Sequence, residues 1–171
     1  LERGHDVTLF CRGLSDPSAF PGVERILGDR ALPADLAGLE DRRFDVVIDT
    51  SGYLPREARA SARAVAGGDT HYVFVSTISV YADLSRPPDE SSPVAEPERA
   101  EDAVLAVENY GALKVACERV ARERWGDRLT IIRPTYVVGP RDLTARYPWW
   151  VLRAARGGRM ILPGPAEAPM Q

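Results

Sequence analysis

The sequence predicts an α/β fold in which a parallel sheet is wound on both faces by helices. Short β-branched runs alternate with longer helical patterns along the chain, the signature of successive βαβ units. Two of the apolar runs, at 44–48 and 72–75, are continuous rather than alternating, as strands buried on both faces require. The 171 residues are 44% hydrophobic and 27% charged, which is enough apolar material for one globular domain with a sizeable core.

The elements follow in order. A first strand is expected at 6–10 (Asp-Val-Thr-Leu-Phe), ended by Arg12 and Gly13, and a shorter one at 23–27, ended by Gly28 and Asp29. The central strands are 44–48 and 72–75. Between them, residues 55–66 are rich in alanine and arginine, with Pro55 in the first turn and Gly67 and Gly68 at the close, so they read as a helix. Residues 86–93 are proline-rich and acidic and read as a loop, the kind of segment where substrate contacts concentrate. A long helix is expected at 108–125, with Tyr110, Leu113, Cys117 and Val120 at helical spacing and Gly126 just beyond. The strand 129–132 runs into Pro134, which lacks a ladder donor, and a last helix at 149–155 stops at Gly157 and Gly158. Residues 1–4 read as a final helical turn with a glycine cap, and the prolines at 163, 165 and 169 as a terminal loop, so a fragment of a longer chain is expected.

Composition narrows the partners. The net charge of -3 provides no broad basic field for phosphate backbones, so nucleic acid is not expected as a partner. Cys11 and Cys117 are too few and too distant for a zinc framework, and no metal site is expected; two unpaired thiols suit a reducing, cytoplasmic setting. No apolar run is long enough to cross a bilayer, so no membrane partner is expected.

Tyr110 and Lys114 lie four residues apart, which on a helix puts a phenol and an ammonium on one face. A free phenol titrates near pH ~10, and a neighbouring positive charge favours the phenolate, so such a pair can move protons at neutral pH. The competing reading is a solvated helix face. Upstream, the strand 72–75 ends in Ser76-Thr77-Ile78-Ser79-Val80-Tyr81, which brings hydroxyls to the carboxyl edge of a central strand, where open α/β sheets bind ligands.

Taken in order, that strand, the Ser-Thr-x-Ser-Val-Tyr run, the acidic proline loop and Tyr-Gly-x-x-Lys resemble the extended short-chain dehydrogenase/reductase family, which includes the NAD-dependent epimerase/dehydratases. The resemblance implies a Rossmann-like doubly wound sheet, Tyr110 as general acid/base, and Lys114 as the residue that tunes it and holds the nicotinamide ribose. It further implies Thr77, four residues before Tyr81, as the hydroxyl that binds the substrate oxygen, in preference to Ser76 or Ser79. The stretch from Arg133 to Pro140 resembles the family segment beside the nicotinamide, and implies that Pro134 and Tyr136 approach the cofactor. Asp29 matches the acidic residue near the adenine, and Ser51-Gly52 the small turn beside the cofactor, with ordinary turn chemistry as the alternative. The segments 146–150 and 157–164 resemble a bacterial reductase or epimerase branch related to the chloroplast stem-loop-binding proteins.

At the end of the first strand an acidic residue would bind the ribose hydroxyl of NAD, whereas an arginine accommodates the phosphate of NADP. Arg12 stands there, so NADP is preferred to NAD. The departure from the family lies at the start. The first strand and glycine-rich phosphate turn are absent, and in the order 3-2-1-4-5-6 their place is the middle of the sheet. The fold is therefore expected to be incomplete, with two unpaired inner edges. Residues 1–156 are expected to form the partial NAD(P)-binding domain and 157–171 the start of a substrate-binding region. The implied function is oxidoreduction, epimerisation or dehydration at a hydroxyl or carbonyl carbon of a small molecule, a nucleotide sugar being one candidate. Helix packing between subunits in the family implies a homodimer. The alternative is a non-catalytic NAD(P)-sensing or RNA-associated protein on the same fold.

Overall fold

A computed structural model describes residues 3–16, 18–65, 68–98, 100–139, 142, 144, 146–161 and 164. The chain forms two compact units, Leu1–Arg133 and Pro134–Gln171. In the first, β1 (Thr8–Cys11) and β2 (Glu24–Leu27) precede a 3-10 turn (Pro33–Leu36) that runs into the short α1 (Ala37–Glu40). Then come β3 (Val46–Asp49), α2 (Pro55–Ala64), β4 (His71–Val75), a 3-10 turn (Ile78–Val80), α3 (Tyr110–Trp125) and β5 (Leu129–Ile132). The second unit contains α4 (Arg146–Ala155).

The five strands pair in parallel, in a two-stranded sheet β1-β2 and a three-stranded sheet β3-β4-β5. In sheet order the break falls between β1 and β3, the place of the first strand in the doubly wound order. The architecture is thus a partial Rossmann-like α/β fold.

Register decides which side chains make the core. Parallel pairing aligns Val47 with Tyr72 and Leu129, and Asp49 with Phe74 and Ile131, so these residues share one face. On that face Tyr72 and Phe74 pack with Ala58 of α2 and with Cys117, Val120, Ala121 and Trp125 of α3. Side chains buried as fully as Phe74 contribute roughly 1.5–3 kcal/mol each. The Trp125 ring stacks on Tyr72 at 5.0 Å, while Lys114, near the other end of α3, reaches the last residue of β4. The helix therefore runs antiparallel to the strands and begins at their carboxyl ends.

The expectation that the central strands are buried on both faces is not met. Val46 and Ile48 of β3 are 52% and 63% exposed, because α2 and α3 both cover the face of Tyr72 and Phe74 and leave the other open among the described residues of this unit. The helical segment at 33–40 was not legible in the pattern, and its Leu36 and Leu39 are buried with Phe10, Ile26 and Phe44 around them. The helix expected from 108 starts at Tyr110, since the Asn109 side chain bonds the Ala106 amide and the Val104 carbonyl and holds the chain in a turn. The last helix begins at Arg146 rather than 149, with Pro148 in its first turn, where a missing amide costs nothing. Leu1, Glu2, Ala66, Gly67, Pro140, Pro163, Pro165 and 166–171 lie outside the described residues, so the capped turn at 1–4, the close of the helix at 55–66 and the terminal loop are not described.

Candidate active site

The carboxyl ends of β3 and β4 and the first turns of α3 meet at one place, and the sequence explains why they can. Past β4 the chain stays extended at Thr77, whose Oγ1 accepts a hydrogen bond from the Ser79 amide at 3.2 Å and caps the turn Ile78–Val80. The Thr77 hydroxyl also donates to Ser79 Oγ at 3.3 Å. Against this turn lies Gly111, where a Cβ would stand 2.0 Å from the Ser79 carbonyl oxygen. Only a residue without a side chain permits that approach, and Tyr110 immediately before it is thereby carried to Thr77.

Burial raises the Tyr110 phenol above its ordinary value, hydrogen bonding with Thr77 works in the opposite direction, and Tyr53 raises it further. The Tyr53 and Tyr110 rings lie 6.3 Å apart. One turn further along α3, Lys114 is buried and its Nζ donates to the carbonyls of Gly52 at 2.7 Å and Val75 at 2.8 Å. Its ammonium also lies 4.2 Å from the Phe74 ring centre and 5.5 Å from that of Tyr53. Burial pushes the Lys114 amine down to about 8.

Gly52 allows the β3 exit to pass over Phe74, since a Cβ there would lie 2.6 Å from the ring. Ser51 is exposed; its amide donates to Asp49 Oδ1 at 3.0 Å and its hydroxyl accepts from Arg30 Nη1 at 3.1 Å. Asp29 is half-buried after β2, and its carboxylate accepts from the Ala31 amide at 2.9 Å. Arg12 is exposed just past β1. Pro134 and Tyr136 belong to the second unit, half-buried and 64% exposed respectively. The structure thus brings together Thr77, Tyr110, Lys114 and Gly52, sets Ser51 beside them, and puts Arg12 and Asp29 at the ends of the other sheet.

Three features escaped the sequence reading. Arg30 grips Asp49 through two bonds of 2.7 and 2.9 Å, and the Tyr72 hydroxyl donates to the same carboxylate at 2.8 Å. Burial disfavours the Asp49 charge, but Arg30 outweighs it and holds the carboxyl below its ordinary range. This pair ties the loop after β2 to the end of β3, so the carboxyl ends of the two sheets adjoin. Its only sequence signal was a carboxylate closing an apolar strand. Neither Tyr53 nor Glu118, which is wholly buried on α3, carried a signal. A groove of about 520 Å³ lined by Arg59, Arg63, Glu123 and Arg124 contains none of the candidate residues.

A nicotinamide dinucleotide fits this edge. The Thr77 hydroxyl and the Tyr110 phenol sit side by side, and every matched residue of the first unit outside α3 follows a strand's carboxyl end, where open α/β sheets take ligands. Residues 56–170 match the model of the NAD dependent epimerase/dehydratase family, and the chain belongs to that family, whose description makes the cofactor a nicotinamide dinucleotide. Among solved structures, a thiolation-reductase di-domain from an archaeal non-ribosomal peptide synthetase is similar at 23% identity and a TM-score of 0.42. The similarity covers 66% of this chain and 28% of that one, and bears on neither activity nor substrate. No curated protein matches the chain.

Proposed function

We propose that the chain supplies the catalytic edge of an NAD(P)-dependent oxidoreductase, epimerase or dehydratase acting on a hydroxyl or carbonyl carbon of a small molecule, with nucleotide sugars as candidate substrates. The observation that carries this reading is the meeting of Tyr110, Thr77 and Lys114 where β3 and β4 end. A bound nicotinamide supplies hydride acceptance or donation at the substrate carbon. Tyr110 takes the proton from the substrate oxygen when the alcohol is oxidised and returns it when the carbonyl is reduced. The Thr77 hydroxyl donates a hydrogen bond to the same oxygen and fixes its distance from the phenol. Lys114 would hold the nicotinamide ribose and tune the phenol, and its bonds to the Gly52 and Val75 carbonyls fix its ammonium at the strand ends. Arg12, exposed at the end of β1, would hold the 2'-phosphate of NADP, so NADP is the preferred cofactor over NAD. Asp29, Ser51 and Gly52 would line the cofactor, and the family resemblance assigns Pro134 and Tyr136 to cofactor contact as well.

The test is Tyr110→Phe in the full-length protein, assayed for NADPH and NADH turnover with nucleotide sugars. Loss of turnover by about 10²-fold or more with cofactor binding retained is expected for a general acid/base. Turnover at the parent rate excludes the proton shuttle, and cofactor binding without turnover by the parent protein favours a sensing role instead.

A further inference from the structure

We infer that the buried Glu118–Arg133 ion pair is the positioning device of the site, setting where α3 stands against the strand ends so that Tyr110 reaches Thr77. The inference rests on the function proposed above. Glu118 lies one turn after Lys114 on α3 and is wholly buried. Its two oxygens accept from Arg133 at 2.9 and 2.7 Å, a bidentate clamp, and Arg122 adds a longer contact of 3.2 Å. Arg133 is the first residue past β5, and its guanidinium lies 4.9 Å from the Tyr81 ring centre, at the end of the Thr77 turn. Ser76, directly before Thr77, is bound through its amide to the Ile132 carbonyl at 2.7 Å. Its buried hydroxyl lacks a partner of good geometry yet lies near enough to Glu118 to help stabilise the carboxylate. One ion pair therefore touches α3, the exit of β5 and both ends of the 76–81 segment.

Stability alone does not account for it. Removing two charges from water costs about as much as their attraction returns, and apolar residues of similar volume commonly serve a fold equally well. What an apolar pair cannot supply is a directional contact that fixes both the rotation of α3 and its height along the sheet. Those two coordinates determine whether the Tyr110 oxygen meets Thr77 and whether Lys114 spans the Gly52 and Val75 carbonyls. A displacement of about 1 Å at such a site can cost roughly 10²-fold in rate.

The experiment compares the parent protein, Glu118→Leu/Arg133→Met and Arg133→Lys, all in the full-length chain. The readouts are melting temperature, NADPH affinity by fluorescence, kcat and KM for the substrate, and the phenol-carbon resonance of Tyr110 in cofactor-free protein. Positioning predicts folded variants whose kcat falls at least about tenfold while NADPH affinity changes less than about threefold, with a displaced Tyr110 resonance. Parent kcat and an unmoved resonance in either folded variant overturn the inference. If neither variant folds, the pair is a requirement of folding and the inference is likewise overturned. Should Tyr110→Phe keep parent turnover, the functional reading itself fails; should it lose turnover while the ion-pair variants do not, only the positioning role is lost.

Discussion

Gly111→Ala sets helix propensity directly against packing. Adding one methyl inside a helix ordinarily stabilises it, by roughly 1 kcal/mol when glycine is the residue replaced. At this position the new Cβ would stand 2.0 Å from the Ser79 oxygen and 2.9 Å from its carbonyl carbon. Carbon–oxygen contacts in proteins begin near roughly 3.3 Å, so α3 and the 78–80 turn must separate by about 1.3 Å. That turn has little room to yield, since Val80 is fully buried and the Ser79 amide is held by Thr77. Overpacking of this kind costs about 1–3 kcal/mol, which outweighs the propensity gain and makes the variant less stable. The separation also draws Tyr110 away from Thr77, so kcat falls by about 10²-fold with a small change in NADPH affinity. Urea unfolding and saturating turnover assays measure the two effects. A variant with the parent midpoint or a higher one, and kcat within about twofold, would refute the argument from Ser79.

Three further outcomes are expected. Asp49→Asn leaves the Arg30 charge buried without its partner and lowers stability by roughly 3–5 kcal/mol in denaturant unfolding. The Asp49 carboxyl is held below its ordinary value when folded, so its contribution is present above the unfolded pKa and disappears as pH falls through the folded one. An acid-unfolding slope unaltered by Asp49→Asn would contradict that linkage. Lys114 acts with the same sign at higher pH: its amine titrates at about 8 in the fold against 10.5 in the open chain, so the unfolded state holds the extra proton between those values. Stability should therefore rise with pH across that window by roughly 3 kcal/mol, relative to Lys114→Met, and a flat difference from pH ~7 to ~11 would show that the amine is not depressed. Gly52→Ala puts a methyl 2.6 Å from the buried Phe74 ring, and is expected to lower the melting temperature and weaken NADPH binding together.

Elements carried by periodicity and punctuation were readable in the chain. The five strands and α2, α3 and α4 appear where apolar runs, Pro55 and Gly126 mark them. What failed depends on what covers a surface. A run such as Val46-Val47-Ile48 is apolar at every position, yet periodicity cannot say whether a helix lies on each face, and among the described residues of this unit only one face is covered. The short segment 33–40 is too brief for a helical period and exists because Leu36 and Leu39 complete a core supplied by β1 and β2. At the site, Tyr110, Lys114 and Thr77 were visible because their spacing carries chemistry. Tyr53, the Arg30–Asp49 pair and Glu118–Arg133 were not, because each depends on a contact between residues far apart in sequence.

The distribution of buried polar groups itself points to function. Among the described residues, the polar side chains shielded from water are Asp49, Thr70, Ser76, Thr77, Lys114 and Glu118. Thr70 alone belongs to the amino end of the sheet, where its hydroxyl donates to the Phe44 carbonyl at 2.7 Å. Four of the others close β3, follow β4 or face their ends from α3, and Glu118 lies one turn deeper on the same helix. Each such group loses hydration on folding and recovers it only through the partners nearby. A core selected for stability alone would spread or avoid that cost, as the apolar contacts of Phe74, Val120 and Trp125 do deeper in the same sheet. Its concentration at one edge is what a site requires when a phenol, a hydroxyl and an ammonium must be held against their preference for water, with fixed carbonyls and carboxylates in place of solvent.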